Sequence, residues 1–193
     1  MDDVRQWLQA HVPLTDEAWA ALTAKLHTLD LRKNAAFQKA HQSAEQLAFL
    51  RTGALYARYA DDTRKHRIAF FCLPTVNRIV CDLEAFAGGT RSRMSIVASE
   101  ASTLLVVNRQ DLYRLYEEHP CLERLGRKLA EYSYARAMER IGRMELKNVE
   151  RAADLHHRYR EVFQTFTNIQ IAEYLGMSDG ELSRAKRRFN GHR

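Results

Sequence analysis

Thr167-Asn168-Ile169-Gln170-Ile171-Ala172-Glu173-Tyr174-Leu175-Gly176-Met177-Ser178-Asp179-Gly180-Glu181-Leu182-Ser183-Arg184-Ala185-Lys186-Arg187-Arg188-Phe189 reads as two short helices joined by a tight turn. Thr167 with Gln170, and Ser178 with Glu181, have the spacing in which side chain and backbone cap each other at a helix start. Gly176 falls between the helices, where a sharp turn calls for positive φ. Ala172 lies midway along the first helix, where a steep crossing leaves room only for a small side chain. Ile171, Leu175, Met177 and Leu182 supply a small core. This is the helix-turn-helix pattern, whose second helix enters the DNA major groove; an ordinary α-hairpin is the alternative. On the groove reading, Arg184 projects from mid-helix as the base-reading candidate, with Ser183 and Glu181 secondary. Thr167, Ser178, Lys186, Arg187 and Arg188 would serve phosphates, which set position and affinity rather than sequence. Asp179 opens the same helix and is counted with this interface, although Asp179 and Gly180 weaken the contacts expected at a helix start.

Charge points the same way. The chain of 193 residues has 30 Lys+Arg against 24 Asp+Glu, a net +6. Arg184, Lys186, Arg187, Arg188 and Arg193 crowd the last ten residues, and a basic end suggests a polyanionic partner. A solvated helix face is the plainer reading of the same charges.

Upstream of this unit, the texture from about Asn108 to the end is helical. Asp111 to Glu118 forms a short helix with Leu112, Leu115 and Tyr116 on one side. Pro120 suits the first turn of a longer helix, expected over about 121–149. Leu122, Leu125, Leu129 and Tyr132 form a 3-4-3 seam, expected to be the dimer interface. The seam fails at Arg136, while Tyr134, Met138 and Ile141 make a second, rotated stripe. A helix with two apolar faces can pack on its own domain with one and on a partner with the other.

Between Leu29 and Val107 the pattern changes to short, often alternating runs: 47–50, 54–59, 68–71, 94–97 and 103–107. Turn-type clusters separate them at Arg32-Lys33-Asn34, Arg51-Thr52-Gly53, Asp61-Asp62-Thr63 and Gly88-Gly89-Thr90. Such spacing predicts a β-roll or jelly roll rather than β-α-β units. Residues 4 to about 28 are expected to be helical, broken at Pro13 and restarted by Thr15 as N-cap. The fold class is therefore α+β, in three parts: a sensor-like β-roll with N-terminal helices over 1–119, a dimerisation helix over 120–149, and a helix-turn-helix unit over 150–193. The sequence has four residues after Phe189, so a wing strand on that side is expected to be absent or truncated.

Several function classes are not expected. The apolar fraction of 46% is that of a globular protein. No apolar run approaches membrane length, and the acidic start has no signal-like core. Cys72, Cys81 and Cys121 are odd in number and widely spaced, which speaks against a disulfide framework and for a reducing cytoplasm. His119 and Cys121 flank Pro120, which a helix start explains, and His156-His157 diverge on a helix, so no metal site is assigned. No P-loop, nucleophile elbow or His-Glu-x-x-His occurs, and neither an enzyme nor a cofactor is expected.

With these residues in view, the chain resembles the Crp/Fnr family of regulators, in particular its effector-unknown branch. The match is strongest at Ile171-Ala172-Glu173-Tyr174-Leu175-Gly176-Met177-Ser178 and Leu182-Ser183-Arg184. It extends over Arg51-Thr52-Gly53-Ala54-Leu55, Phe70-Phe71, Asn108-Arg109-Gln110-Asp111-Leu112 and the long helix. The resemblance implies a cyclic-nucleotide-binding-type β-roll, a dimerising central helix and a winged helix-turn-helix. It implies double-stranded promoter DNA and a second copy of the chain as partners, with RNA polymerase and a small-molecule effector as further candidates. The chain departs from it in the phosphate-binding cassette. Cyclic-AMP sensors of the family carry Gly-Glu there and, ten residues on, Arg followed by Ser or Thr; these fall here on Cys81-Asp82 and Ser92-Arg93. The effector pocket is thus expected at Asp82, Glu84, Arg91, Ser92 and Arg93, but without tight cyclic-AMP binding, because a one-residue slip along a strand turns a side chain to the other face. Three scattered cysteines do not offer the four thiolates of an iron–sulfur cluster. The rival reading is a ligand-sensing or protein-interaction module with a degenerate helix-turn-helix.

Overall fold

A computed structural model describes residues 1–60 and 67–190, with side chains through 188. The expected turn at Asp61-Asp62-Thr63 and the terminal Arg193 lie outside the described residues, and so does the side chain of Phe189.

Two helices open the chain, α1 (Asp2–Gln9) and α2 (Asp16–Lys25). Thr15 caps the second, its hydroxyl accepting from the Ala18 N–H at 3.1 Å. Helix ends here, earlier than the sequence suggested, because Leu26 is already extended and β1 (His27–Leu31) follows. Then come β2 (Ala36–Gln38), β3 (Gln46–Thr52), β4 (Leu55–Tyr59), β5 (Ile68–Cys72), β6 (Ile79–Val80), the short α3 (Leu83–Gly88), β7 (Met94–Ala98) and β8 (Ser102–Asn108). The strands form two four-stranded antiparallel sheets, ordered β1-β8-β3-β6 and β2-β7-β4-β5. The five runs read from sequence are β3, β4, β5, β7 and β8. The three strands not read are half-exposed (β1) or only two or three residues long (β6 and β2).

The strand patterns follow from what covers each face. On β7, Met94, Ile96 and Ala98 are buried and alternate with half-buried Ser95 and Val97, the signature of one covered face. On β8, Leu104 through Val107 are all buried. Leu104 and Val106 join Leu50, Leu55, Ala57 and Ile96 between the sheets. Leu105 and Val107 face the other way and pack with Leu47 and Phe49 beneath Val4, Leu8 and Leu22 of the N-terminal helices. A continuous apolar run is thus a strand buried on both sides.

After β8 the described chain is helical throughout: α4 (Arg109–Glu118), α5 (Pro120–Arg143), α6 (Asn148–Arg158), α7 (Arg160–Thr165), α8 (Asn168–Leu175) and α9 (Asp179–Asn190). The long helix starts at Pro120 as expected but stops at Arg143 rather than near Val149. Its end is tied by Arg151, whose Nη1 donates to the Met144 carbonyl at 3.0 Å. Gly88-Gly89-Thr90, read from sequence as a turn-type cluster between strand runs, is the end of α3, with Gly89 left-handed at φ 62°.

Candidate nucleic-acid interface

The helices α8 and α9 are set by short-range chemistry. The Thr167 Oγ1 accepts from the Gln170 N–H at 3.2 Å, and the Gln170 Oε1 accepts from the Thr167 N–H at 2.9 Å. The Ser178 Oγ accepts from the Glu181 N–H at 3.3 Å, while the Glu181 Oε2 accepts the Ser178 N–H at 2.8 Å. Between the two reciprocal caps, Gly176 turns the chain at φ 67°, and the Met177 N–H reaches back to the Ala172 carbonyl at 3.0 Å. Ile171, Ala172, Leu175, Met177, Leu182 and Ala185 are buried together with Ala152, Leu155 and Val162 of α6 and α7. The crossing alanine and the apolar positions read from sequence therefore meet in one small core.

This packing leaves a defined outer face. Thr167, Ser178, Asp179, Arg184, Arg187 and Arg188 are exposed, and Ser183 is half-buried. The Arg184 guanidinium lies along the helix, with Nη1 3.5 Å from where a Cβ on Gly180 would stand. Two residues have local partners that the sequence did not reveal. The Lys186 Nζ donates to the Asn168 Oδ1 at 2.9 Å and stands 5.5 Å from the centroid of the Phe163 ring. The Glu181 Oε1 accepts from the Asn148 Nδ2 at 3.0 Å and so ties α9 to α6, while Oε2 caps the start of α9. Hydrogen bonds from the Ser178 backbone and hydroxyl hold the Glu181 carboxyl below its ordinary range. The expectation that Glu181 reads a base edge gives way to this structural use of its carboxylate.

The expected effector residues do not converge. Asp82 and Ser92 are buried and bound to each other, the Ser92 hydroxyl donating to the Asp82 Oδ2 at 2.7 Å. The Asp82 Oδ1 caps α3 by accepting the Ala85 N–H at 3.3 Å. Arg91 and Arg93 are exposed, and the Arg93 Nη2 pairs outside with the Glu84 Oε2 at 3.0 Å. A cassette that buries a carboxylate on a serine and turns both arginines outward offers no cation to a buried phosphate.

The dimer expectation is corrected by burial. Leu122, Leu125 and Leu129 are 1%, 4% and 7% exposed within the single chain. They close the core over β3, β8 and the N-terminal helices, and Tyr132 leans on His11 and the Val76 carbonyl. The rotated stripe is the one left open: Tyr134, Met138 and Ile141 are 68%, 42% and 60% exposed.

The helix-turn-helix unit does not hang free. It sits on the outer face of β4 and β5, where Phe71 stacks on Phe166 at 4.1 Å between centroids and lies 4.9 Å from Tyr174. The Arg58 Nη2 pairs with the Glu173 Oε1 at 2.8 Å, and the Arg67 Nη1 approaches the same oxygen at 3.7 Å. Arg140 of α5 donates to the Ala69 carbonyl, to the Ile68 carbonyl at 2.8 Å and to the Tyr174 carbonyl at 2.9 Å. A cleft of about 1040 Å³ opens beside this junction, lined among others by Phe70, Tyr134, Arg136, Ile141, Tyr159 and Tyr174. Sequence reasoning missed Arg58, Arg140 and Glu173. The one available signal was the failure of the leucine seam at Arg136, which marks where α5 leaves the β-roll core.

No protein-family profile matches the chain, and no curated protein matches it by sequence. Solved structures do match in fold. FixK2 from Bradyrhizobium japonicum superposes with a TM-score of 0.74 at 18% identity, over 86% of this chain and 85% of that one. The regulator CLP of Xanthomonas campestris gives 0.71 at 11% identity, over 92% and 93%. A Crp/Fnr-family protein from Eubacterium rectale gives 0.70 at 13% identity, over 93% and 85%. The arrangement of β-roll, central helix and C-terminal helices is thus the fold of these solved structures. Among the described residues no helix is long and apolar enough to cross a membrane.

Proposed function

We propose, starting from a chain with the Crp/Fnr-type regulator fold, that it is a homodimeric DNA-binding transcription regulator. The observation that carries the reading is the α8–α9 unit: two reciprocally capped helices around Gly176, with Arg184, Arg187 and Arg188 on an exposed face. In this reading α9 enters the major groove, Arg184 reads a base edge, and Arg187, Arg188 and the N-termini at Thr167 and Ser178 hold phosphates. Lys186 joins them by exchanging Asn168 for a phosphate. The three parts act as a β-roll over 1–119, a central helix over 120–149 and a DNA-binding unit over 150–193. Dimerisation uses the exposed stripe Tyr134, Met138 and Ile141, which lies on the side of α5 away from the leucine core. The buried Asp82–Ser92 pair argues that any effector is not a cyclic nucleotide held through its phosphate.

The test is a titration of the full chain on random and promoter duplexes at several salt concentrations. DNA binding that weakens linearly in log–log with salt supports the reading. Absence of binding even at low salt would favour the rival, a module whose helix-turn-helix contacts protein. Light scattering tests the dimer: Ile141→Glu should give folded monomers, and an unchanged dimer would remove the stripe from the interface.

A further inference from the structure

Arg140 touches all three parts of the fold at one point. It stands on α5 one residue before Ile141 of the open stripe. Its partners are two consecutive carbonyls of β5 and one carbonyl in the last turn of α8. Each acceptor is of a kind that needs an outside donor. β5 is the edge strand of its sheet, and the β4–β5 register skips Ala69, pairing Ala57 with Phe70 and Arg58 with Ile68. A bulge of this kind turns a backbone group away from the ladder. Tyr174 lies in the last turn of its helix, where carbonyls have no intrahelical donor. The planar guanidinium fork can satisfy neighbouring carbonyls at once, which a lysine ammonium does less well. The Tyr174 ring completes the seat, with its centroid 4.3 Å from the guanidinium carbon.

The arrangement is costly for a packing residue. Among the described residues Arg140 makes no ion pair, and its Nε is buried without a partner. Burial lowers its pKa below the ordinary guanidinium value, although an arginine stays charged. The three carbonyls compensate the charge only while the C-terminal unit is docked, because one of them belongs to α8. The docking leaves the outer face of α9 uncovered, so it holds the recognition helix without masking it.

We propose that Arg140 is a positioning residue for DNA binding: it pins the unit α6–α9 to β5 and α5, so that the two recognition helices of a dimer keep one fixed spacing. The proposal rests on the DNA-binding reading above. Glu173, held by Arg58, is the second tie of the same joint. A pin between the dimer stem and the reading unit sets geometry rather than contact. Its loss therefore affects the match to half-site spacing and not the grip on a single half-site.

The experiment uses the full chain, with Arg140→Met, Arg140→Lys and Glu173→Gln. Palindromic duplexes are enriched from a random pool by the wild type, then rebuilt with ~5 base pairs inserted between half-sites, about half a helical turn. Hydrogen exchange is followed in β5 and α8 without DNA. The wild type should prefer the native spacing by roughly 10-fold or more. Arg140→Met should expose α8 and β5 to faster exchange and reduce the preference to within about threefold, with single half-site affinity kept within about twofold. Arg140→Lys and Glu173→Gln should fall between. If Arg140→Met does not fold, Glu173→Gln, whose side chain is 17% exposed, still reports on the joint. Unchanged exchange in the folded variants, or a retained spacing preference, would overturn the proposal. If the wild type binds no duplex, the regulator reading itself falls and takes the spacing role with it, whatever exchange shows of the joint.

Discussion

Helix α9 and the cassette around α3 carry the same kinds of side chain and use them in opposite ways. On α9 the arginines are displayed outward, and the acidic residues sit in the first turn, where Glu181 is taken up by the cap. Around α3 the carboxylate is the buried group, satisfied by a serine, and the arginines lie outside against Glu84 or solvent. Local geometry decides the difference. A helix standing on a small core must expose one whole face, and the arginines at 184, 187 and 188 lie on that exposed face. The Asp82 side chain points into the fold and must be hydrogen-bonded where it lies. One region thus displays its cations outward and the other buries its carboxylate, which is the contrast on which the proposed DNA-binding role of α9 rests.

The largest expected effect sharpens this contrast. Replacing Arg184, Arg187 and Arg188 together by alanine should weaken DNA binding by about 100-fold or more at ~0.1 M salt. Replacing Arg91 and Arg93 should leave it within about twofold. Comparable losses from both sets, measured by fluorescence anisotropy, would break the contrast. Next in size is Arg184→Ala alone, which should cost ~1–3 kcal/mol of discrimination between selected and scrambled duplexes. Lys186→Ala should weaken both duplexes equally and lower the salt slope by roughly one unit; a change in discrimination would move Lys186 among the base readers.

On the cassette side the effects are on stability. Ser92→Ala leaves the buried Asp82 Oδ2 without its donor and should destabilise the fold by ~1–3 kcal/mol in denaturant titration. Arg93→Ala removes only an exposed pair and should cost less than ~1 kcal/mol. An Arg93 effect larger than that of Ser92 would mean that the arginine, not the buried pair, organises the loop. The smallest effect belongs to the second cap. The Glu181 carboxyl titrates below its unfolded value, so its contribution is present above that value and fades as pH falls through the lowered one. Side-chain NMR should show a depressed midpoint in the wild type that returns toward the ordinary range in Ser178→Ala; an ordinary midpoint in the wild type would contradict the cap.

What the sequence made legible was local. Thr167/Gln170 and Ser178/Glu181 close their boxes within four residues, so their pairing could be read without any tertiary knowledge. The substitution of Asp82 and Ser92 was visible too, though not that the two would bond each other. The less visible features depend on partners far along the chain. Leu122, Leu125 and Leu129 have the spacing of a dimer seam, yet spacing cannot say whether a face meets another copy or Leu22 of α2 and Phe49 of β3 in its own chain. The β2 and β6 strands carry too few residues to show a period, and β1 is too exposed to show an apolar face. Gly88-Gly89 marks a break in either reading, and only the preceding Asp82 cap makes it the end of a helix. For Arg140 the break of the leucine seam at Arg136 was the only hint, because its acceptors are backbone carbonyls 34 to 72 residues away.

The central claim, that α9 and not the cassette meets the polyanion, is open to one direct measurement. Single cysteines are placed at Arg187→Cys and Arg93→Cys and carry a photo-crosslinker; Cys72 and Cys81 are buried, and a Cys121→Ser background removes the remaining half-buried thiol. Irradiation with a duplex selected by the wild type should join DNA to the position-187 probe and leave the position-93 probe unreacted. Crosslinking from position 93, or none from position 187 in a protein that still binds the duplex, would contradict the account.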